Sequence, residues 1–325
     1  MARAALVLGG AGFIGSHLLS HLASSGKYEK LVSGDIRSPR FVVPGVEYVE
    51  VDVRKPLPDD IGPGITEIFN LAAIHTTPGH EDWEYYWTNV LGAIHASDFA
   101  RRSGARNVIF TSSISVYGES EETKDEDSPL VPTTAYGCSK LCAEKIHRLW
   151  QAEAPESRRL VIVRPGVVYG YMEQGNFTRL AELLLKNRFI FPGRTDTIKA
   201  CGYVTDLVRS ITFMMDRTDE VMTYNFCYVE RYTTAQICEA FSRVAGYKRP
   251  KLTVPLTPML IGAWIFEIMA KMGMRTSINR ARVLKLVRSN NIVPKRLSEA
   301  GFANSYDLNA ALADWQKTSG NGRFV

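Results

Sequence analysis

Apolar positions follow two rhythms along this chain. Ala4-Ala5-Leu6-Val7-Leu8 is an unbroken apolar run, as expected of a strand buried on both faces of a parallel sheet. Leu18, Leu19 and Leu22 then recur at helical spacing, and Ser24-Ser25-Gly26 closes that helix. The exchange repeats. Strands are predicted over Leu31–Asp35, Val46–Asp52, Ile65–Ala73, Asn107–Ser112 and Leu160–Arg164. Helices fill the gaps, among them Tyr85–Gly104 and Ser139–Ala154. Such alternation predicts an α/β fold, a doubly wound parallel sheet with helices on both faces. From about Tyr171 the pattern loosens into helices with short strands. The expected division is therefore a larger domain over 1–170, to which some later segments return, and a smaller C-terminal α/β lobe over 171–325.

Composition narrows the class. With 325 residues and 45% hydrophobic content, the chain can bury a substantial core. Its net charge of +5 is mild, and no nucleic-acid-binding signature accompanies it. Cys138, Cys142, Cys201, Cys227 and Cys238 are scattered without paired spacing, so neither a zinc site nor a disulfide framework is expected. They read as thiols of a reducing cytoplasm, and the chain enters its first strand with no secretory signal. The acidic run Glu119–Asp127 reads as a solvated loop. The apolar segment Pro258–Gly273 is interrupted by Glu267 and Lys271, short of the ~20 residues a spanning helix needs. It is either a helix packed on the second lobe or one that covers an apolar substrate or touches a membrane surface.

Between the first strand and the first helix stands Gly9-x-x-Gly12-x-x-Gly15. At a strand-to-helix turn, backbone N–H groups and the helix N-terminus can face a pyrophosphate. Asp35 ends the second strand about 20 residues on, where a carboxylate accepts from ribose hydroxyls and repels a 2′-phosphate. That favours NAD; Arg37 nearby is the residue that would accommodate NADP. Asp52-Val53, after the third strand, is the expected partner of the adenine edge.

A second constellation is Thr111-Ser112-Ser113-Ile114-Ser115-Val116-Tyr117-Gly118, followed by Tyr136-Gly-Cys-Ser-Lys140. On a helix, Tyr136 and Lys140 lie one turn apart on one face. A lysine ammonium and a nicotinamide cation together would draw the tyrosine pKa from its ordinary ~10 toward neutrality. The phenolate could then take a hydroxyl proton during hydride transfer, with Ser113 holding the substrate oxygen. A Tyr-x-x-x-Lys pair alone is uninformative; behind the glycine turn and the Asp-ended strand it is specific.

With these residues the sequence resembles the extended short-chain dehydrogenases, including the NAD-dependent sugar epimerases and dehydratases. The likeness runs from about Ala4 to Asp206 through GGAGFIG, NLAA (Asn70–Ala73), TNVLGA, TSSISVYG, YGCSK, VRPGVVYG and YVTDLV. It implies a Rossmann domain over 1–170 and a substrate lobe behind it. It also implies that Gly9, Gly12, Phe13, Ile14, Gly15, Asp35, Asp52, Val53, Leu71, Ala72, Ala73, Tyr136, Lys140 and Pro165 touch the dinucleotide. Asn89 matches a buried asparagine near the cofactor, although a helix-capping role is equally open. Dehydratases of the family carry Asp-Glu after the catalytic hydroxyl residue, and similar decarboxylases a glutamate at the second position. Here Ile114 and Ser115 stand there, which disfavours both reactions and leaves epimerisation or net dehydrogenation. The likeness further implies a nucleotide-sugar substrate touching Asn176 and Lys199, with Arg194 and Arg280 as further cations and His75 at the sugar. Lys199 stands where similar epimerases have arginine, and lacks its bidentate fork.

The C-terminal third, Pro255–Gly273 with Ile278–Val283, looks more like the hydroxysteroid-type branch, so a dehydrogenase of an apolar alcohol stays open. A non-catalytic NAD-binding protein is the remaining class. The basic set Arg275, Arg280, Arg282, Lys285 and Arg288 suits either a solvated face or attraction to a diphosphate or an anionic membrane. Finally, the family commonly pairs two long helices, here Trp83–Gly104 and Ala135–Ala154, with their copies. The apolar Leu141, Cys142, Ile146, Leu149 and Trp150 therefore predict a two-fold homodimer.

Overall fold

A computed structural model of the chain describes residues 3–61, 64–76, 79–217, 220–271, 274, 280–320 and 322–325, with backbone only at 271, 281, 282 and 285. Arg275 therefore lies outside the described residues, as do the side chains of Arg282 and Lys285. In chain order the first half runs β1 (Arg3–Leu8), α1 (Phe13–Ser24), β2 (Tyr28–Asp35), β3 (Val46–Glu50) and β4 (Glu67–Asn70). It continues with α2 (Asp82–Ser103), β5 (Asn107–Thr111), β6 (Ser120–Lys124), α3 (Ala135–Ala152) and β7 (Arg159–Pro165). The second half runs β8 (Val167–Tyr169), α4 (Asn176–Leu185), β9 (Phe191–Pro192), β10 (Cys201–Tyr203), α5 (Val204–Met215) and β11 (Val221–Phe226). It closes with α6 (Thr234–Ala245), β12 (Thr253–Val254), α7 (Leu256–Lys271), α8 (Arg280–Val287), β13 (Asn290–Ile292), α9 (Lys295–Glu299) and α10 (Leu308–Thr318).

Seven parallel strands form the main sheet in the order β3-β2-β1-β4-β5-β7-β11. Successive side chains of a strand point to opposite faces, and the core divides accordingly. Leu6, Leu8, Ile68, Val108, Phe110 and Ile162 meet Ala93, Ala96 and Phe99 of α2 and Trp150 of α3. Val7, Phe69, Ile109 and Val163 meet Leu18, Leu19 and Leu22 of α1 and Leu207 and Ile211 of α5. Strands apolar at every position are thus the signature of two covered faces. β11 comes from the second half of the chain and supplies the sheet's last strand. A third core, with Tyr169, Phe177, Tyr203, Phe241 and Trp315, belongs to the second lobe.

Two elements differ from the sequence expectation. The predicted fourth strand, Ile65–Ala73, is a strand only over Glu67–Asn70, and its last residues form the loop that approaches the glycine turn. The acidic run stays largely open to solvent but is not all loop. Ser120–Lys124 is a strand paired in parallel with β13, about 170 residues downstream. Its carboxylates meet cations from the same distant segments: Glu119 with Arg288, and Asp127 with Lys295 and Arg296.

Candidate active site

At the carboxyl end of β1 the chain turns into α1 through the glycines. Gly9 has φ of +81°, and a Cβ there would lie 2.7 Å from the backbone nitrogen of Ala72. A Cβ on Gly15 would lie 2.2 Å from the Gly9 carbonyl oxygen, so neither position admits a side chain. Gly12 is different: a Cβ would meet only the Gly9 oxygen at 3.1 Å, leaving its outer side open. Gly12 caps α1 without any side chain occupying the helix end. The first N–H groups around Phe13, Ile14 and Gly15 therefore face the mouth of the turn, where the macrodipole favours an anion.

Asp35 closes the other side. Its Oδ2 accepts from the Ala11 N–H at 3.1 Å and its Oδ1 from the Arg37 N–H at 3.1 Å. The Arg37 guanidinium stands 3.7 Å away and is largely exposed. Asp52 is held by Arg54 through hydrogen bonds of 2.8 Å to each oxygen, which keep its pKa low. Val53 packs beneath Gly92 of α2. Leu71, Ala72 and Ala73 follow β4, with the Leu71 N–H bonded to the Leu8 carbonyl. An adenosine ribose against Asp35 and a pyrophosphate over Gly12 fit this cradle, so the residues present suit a dinucleotide.

Asn89 has a structural duty. Its side chain accepts from the Ile74 N–H (2.9 Å) and donates to the Ile74 carbonyl (3.1 Å) and to Ser139 Oγ (2.9 Å). It thereby ties the loop after β4 to α3. Pro165 ends β7, opposite Phe226.

Ser113 follows β5 and caps a single 3₁₀ turn, Ile114–Tyr117, accepting from the Ser115 N–H at 3.1 Å. Tyr136 and Lys140 occupy the first turns of α3, whose N-cap Thr134 accepts from the Gly137 N–H. The structure sets the Ser113 side chain beside the Tyr136 phenol, where it acts to lower the phenol's pKa. Lys140 is fully buried, donates to the Thr111 carbonyl at 2.7 Å and lies over the Phe110 ring at 4.8 Å. Burial pushes the Tyr136 phenol up to about 12, offset in part by Ser113. Burial likewise pushes Lys140 down to about 7, with Glu144 acting the other way. In the protein itself desolvation outweighs the attraction the sequence suggested, so the phenolate needs further positive charge before it forms.

Several supporting residues carried no sequence signal. The Tyr85 ring meets the Tyr136 ring at 6.1 Å, and its hydroxyl donates to the Thr76 carbonyl. Glu144, one turn beyond Lys140, accepts from Ser112 Oγ and pairs with Arg164 of β7. Only the four-residue spacing from Lys140 could have pointed to Glu144. His75, in the loop after β4, is exposed, and Lys140 contributes to its lowered pKa after burial.

The expected substrate cations are already paired. Arg194 binds Asp196 (2.6 Å) and Glu121 of β6 (3.1 Å). Lys199 donates to the Arg288 carbonyl at 2.7 Å, and Arg288 pairs with Glu119. These three gather where β6 meets β13, on the strand that leaves the Ser113 turn. Arg280 is held by Glu267 of α7 at 2.9 Å, and Asn176 opens α4 with its side chain exposed. Among the described residues no group of His, Cys, Asp and Glu is placed to hold a metal.

Comparison with known proteins agrees with this geometry. A family model described as the NAD dependent epimerase/dehydratase family matches residues 5–227. N-acetyl-alpha-D-glucosaminyl-diphospho-ditrans,octacis-undecaprenol 4-epimerase of Escherichia coli O157:H7 is 27% identical over 309 residues, 94% of this chain and 92% of that protein. MoeE5, solved with UDP-glucuronic acid and NAD, superposes with a TM-score of 0.77 at 23% identity, covering 97% of this chain and 99% of its own. UDP-glucuronic acid 4-epimerase from Bacillus cereus, solved with NAD, gives 0.77 at 19% identity over 96% and 97% of the two chains.

Proposed function

The chain belongs to the NAD dependent epimerase/dehydratase family, and from that premise we propose that it epimerises a hydroxyl-bearing carbon of a sugar carried on a diphosphate, a nucleotide sugar in the first reading. NAD is the cofactor of this enzyme, and when bound it takes up a hydride from the carbon and can return it. The chain's own residues handle the proton. Tyr136 receives it from the sugar hydroxyl and gives it back. Ser113, beside Tyr136, holds the same oxygen, and Lys140 supplies positive charge from the same helix face. The glycine turn, Asp35 and the loop Leu71–Ala73 hold the dinucleotide. The observation that carries the reading is the buried Ser113 set beside the Tyr136 phenol, one turn from the buried Lys140, with the side chains of Ile114 and Ser115 offering no acid to expel a leaving group.

Relatives named for sugars on diphosphates support this reading over a hydroxysteroid-type alcohol or a non-catalytic NAD protein. Exposure of the apolar α7 favours a second version of the same chemistry, in which the diphosphate carrier is a polyprenyl lipid. The five cysteines are unpaired, which suits a reducing compartment such as the cytoplasm, and the apolar exteriors of α2 and α3 suit a homodimer. The test is product analysis: UDP-N-acetylglucosamine and its polyprenyl-diphosphate counterpart are each incubated with enzyme and NAD, and the sugar is identified after release. Inverted sugar from either supports the proposal. Tyr136→Phe should lower turnover by about 10²–10⁴ while leaving NAD binding intact, and undiminished turnover would refute the assignment of the proton carrier.

A further inference from the structure

α7 is apolar nearly all round, reading Leu-Thr-Pro-Met-Leu-Ile-Gly-Ala-Trp-Ile-Phe-Glu-Ile-Met-Ala-Lys. A helix of that kind is ordinarily buried within a protein or set in a membrane. Here it is neither sunk in the protein nor able to span. Ala263 is its one buried residue among those described. Ile261, Trp264 and Ile265 are 55%, 50% and 48% exposed, and Phe266, Ile268 and Met269 continue the patch. Its 16 residues rise about 24 Å, short of the ~30 Å hydrocarbon core. Among the described residues no helix is long and apolar enough to cross a membrane.

Charge identifies what covers the patch. From Leu256 to Arg288 the sequence carries six basic residues, Lys271, Arg275, Arg280, Arg282, Lys285 and Arg288, against the single acid Glu267. The rest of the chain then holds 33 basic and 33 acidic residues, so this hairpin accounts for the whole net charge of +5. An apolar helix joined to a basic one matches the two layers of an anionic bilayer surface, acyl chains beneath phosphate headgroups. A second copy of the chain, equally basic at this hairpin, is the poorer complement. We propose that α7 and α8 form a docking element that lies in the surface of an anionic phospholipid bilayer. Apolar α7 side chains enter the headgroup boundary, and the net positive charge of the segment draws it to the phosphates. The root of the hairpin sits beside the reaction centre in the chain's connectivity. Leu256 and Val287 flank Gly193, and α8 runs into β13, which pairs with β6 beyond the Ser113 turn. The docking stands independently of the reaction proposed above.

The test is sedimentation of the full chain with vesicles of phosphatidylcholine alone or mixed with phosphatidylglycerol. The expected result is at least tenfold tighter association with the anionic vesicles, weakened as salt is raised and screening shortens. Hydrogen-exchange protection on vesicle addition should fall within 256–288. Trp264→Glu, at a half-exposed position outside the Ser113, Tyr136 and Lys140 centre, should lose at least tenfold in vesicle binding, and Trp264→Phe should retain it. Equal binding to neutral and anionic vesicles, or none to either, overturns the proposal. So does a fall in solution mass on Trp264→Glu, which would make this face a contact between copies.

Discussion

Glu144 and Arg164 meet inside the protein through two parallel hydrogen bonds, Arg164 Nε to Oε1 at 2.8 Å and Nη2 to Oε2 at 2.7 Å. Both side chains are almost wholly removed from solvent. Ser112 Oγ donates to the same Oε1, and Arg164 Nη1 donates to the Tyr117 hydroxyl. The pair thus joins α3, β5 and β7 directly behind Lys140. Neutralising one partner leaves the other as an uncompensated buried charge. Glu144→Gln should therefore cost about 3–5 kcal/mol in urea unfolding. The exposed pair Arg101–Glu153 gives the contrast, since Glu153→Gln should cost no more than about 1 kcal/mol. Equal effects would show that the buried pair has no special weight.

His147 should make the protein acid-sensitive. It is fully buried between Asn70, whose Nδ2 donates to Nε2 at 3.1 Å, and Ser97 at 3.0 Å from Nδ1. Burial, reinforced by Lys140, lowers its pKa from 6.5 to about 3. The unfolded chain thus binds a proton that the folded one refuses. The stability is present above about pH 6.5 and is lost as pH falls toward 3, on the order of 4 kcal/mol in full. Urea unfolding of wild type and His147→Gln across this window checks it. Parallel curves would exclude His147 as the cause.

Asp35 should set cofactor choice. Its carboxylate is fixed by the Ala11 and Arg37 N–H groups, whereas the Arg37 guanidinium reaches into solvent. A fixed anion facing the 2′ position predicts that NAD binds at least about tenfold more tightly than NADP, about 1.4 kcal/mol. Asp35→Ala should collapse that ratio in fluorescence titrations, and equal affinities in the wild type would assign the choice to Arg37.

The exterior of α2 and α3 predicts self-association. Trp83 and Trp87, 63% and 53% exposed, stack edge to face on α2, and Leu149 of α3 is 66% exposed. Trp150, which the sequence placed with the exposed set, is buried against the sheet. Light scattering at micromolar concentration should give twice the 36.3 kDa chain mass, and Trp87→Glu should return it to one. A wild-type mass of one chain would end the dimer reading.

What the sequence revealed was whatever neighbouring residues decide. Gly9 and Gly15 are legible because the turn forbids side chains there, Gly12 because it leaves the helix end open, and the strands because both sheet faces are covered. Tyr136 and Lys140 were singled out by their spacing on one helix, and Ser113 by its place at the end of the fifth strand. What stayed hidden depends on distant partners. The pairing of Glu119, Glu121 and Asp127 was not visible because their cations, Arg194, Arg288, Lys295 and Arg296, lie far along the chain. The hydrogen bonds of Asn89 to Ile74 and Ser139 were likewise hidden, because both partners come from other segments of the chain. The raised Tyr136 pKa reflects burial, which no local pattern encodes.

The position of β11 sets a timetable for synthesis. β7 is the edge of the sheet until β11 covers it, and 55 residues separate the end of one from the start of the other. At ~5–20 residues per second a ribosome takes roughly 3–11 s to make that stretch. Throughout it, the almost wholly apolar Leu-Val-Ile-Val of β7 presents open backbone groups to any neighbouring nascent chain. A neighbouring chain that paired with β7 in those seconds would occupy the edge that β11 has to cover, so the order of synthesis opens a window for strand exchange between copies.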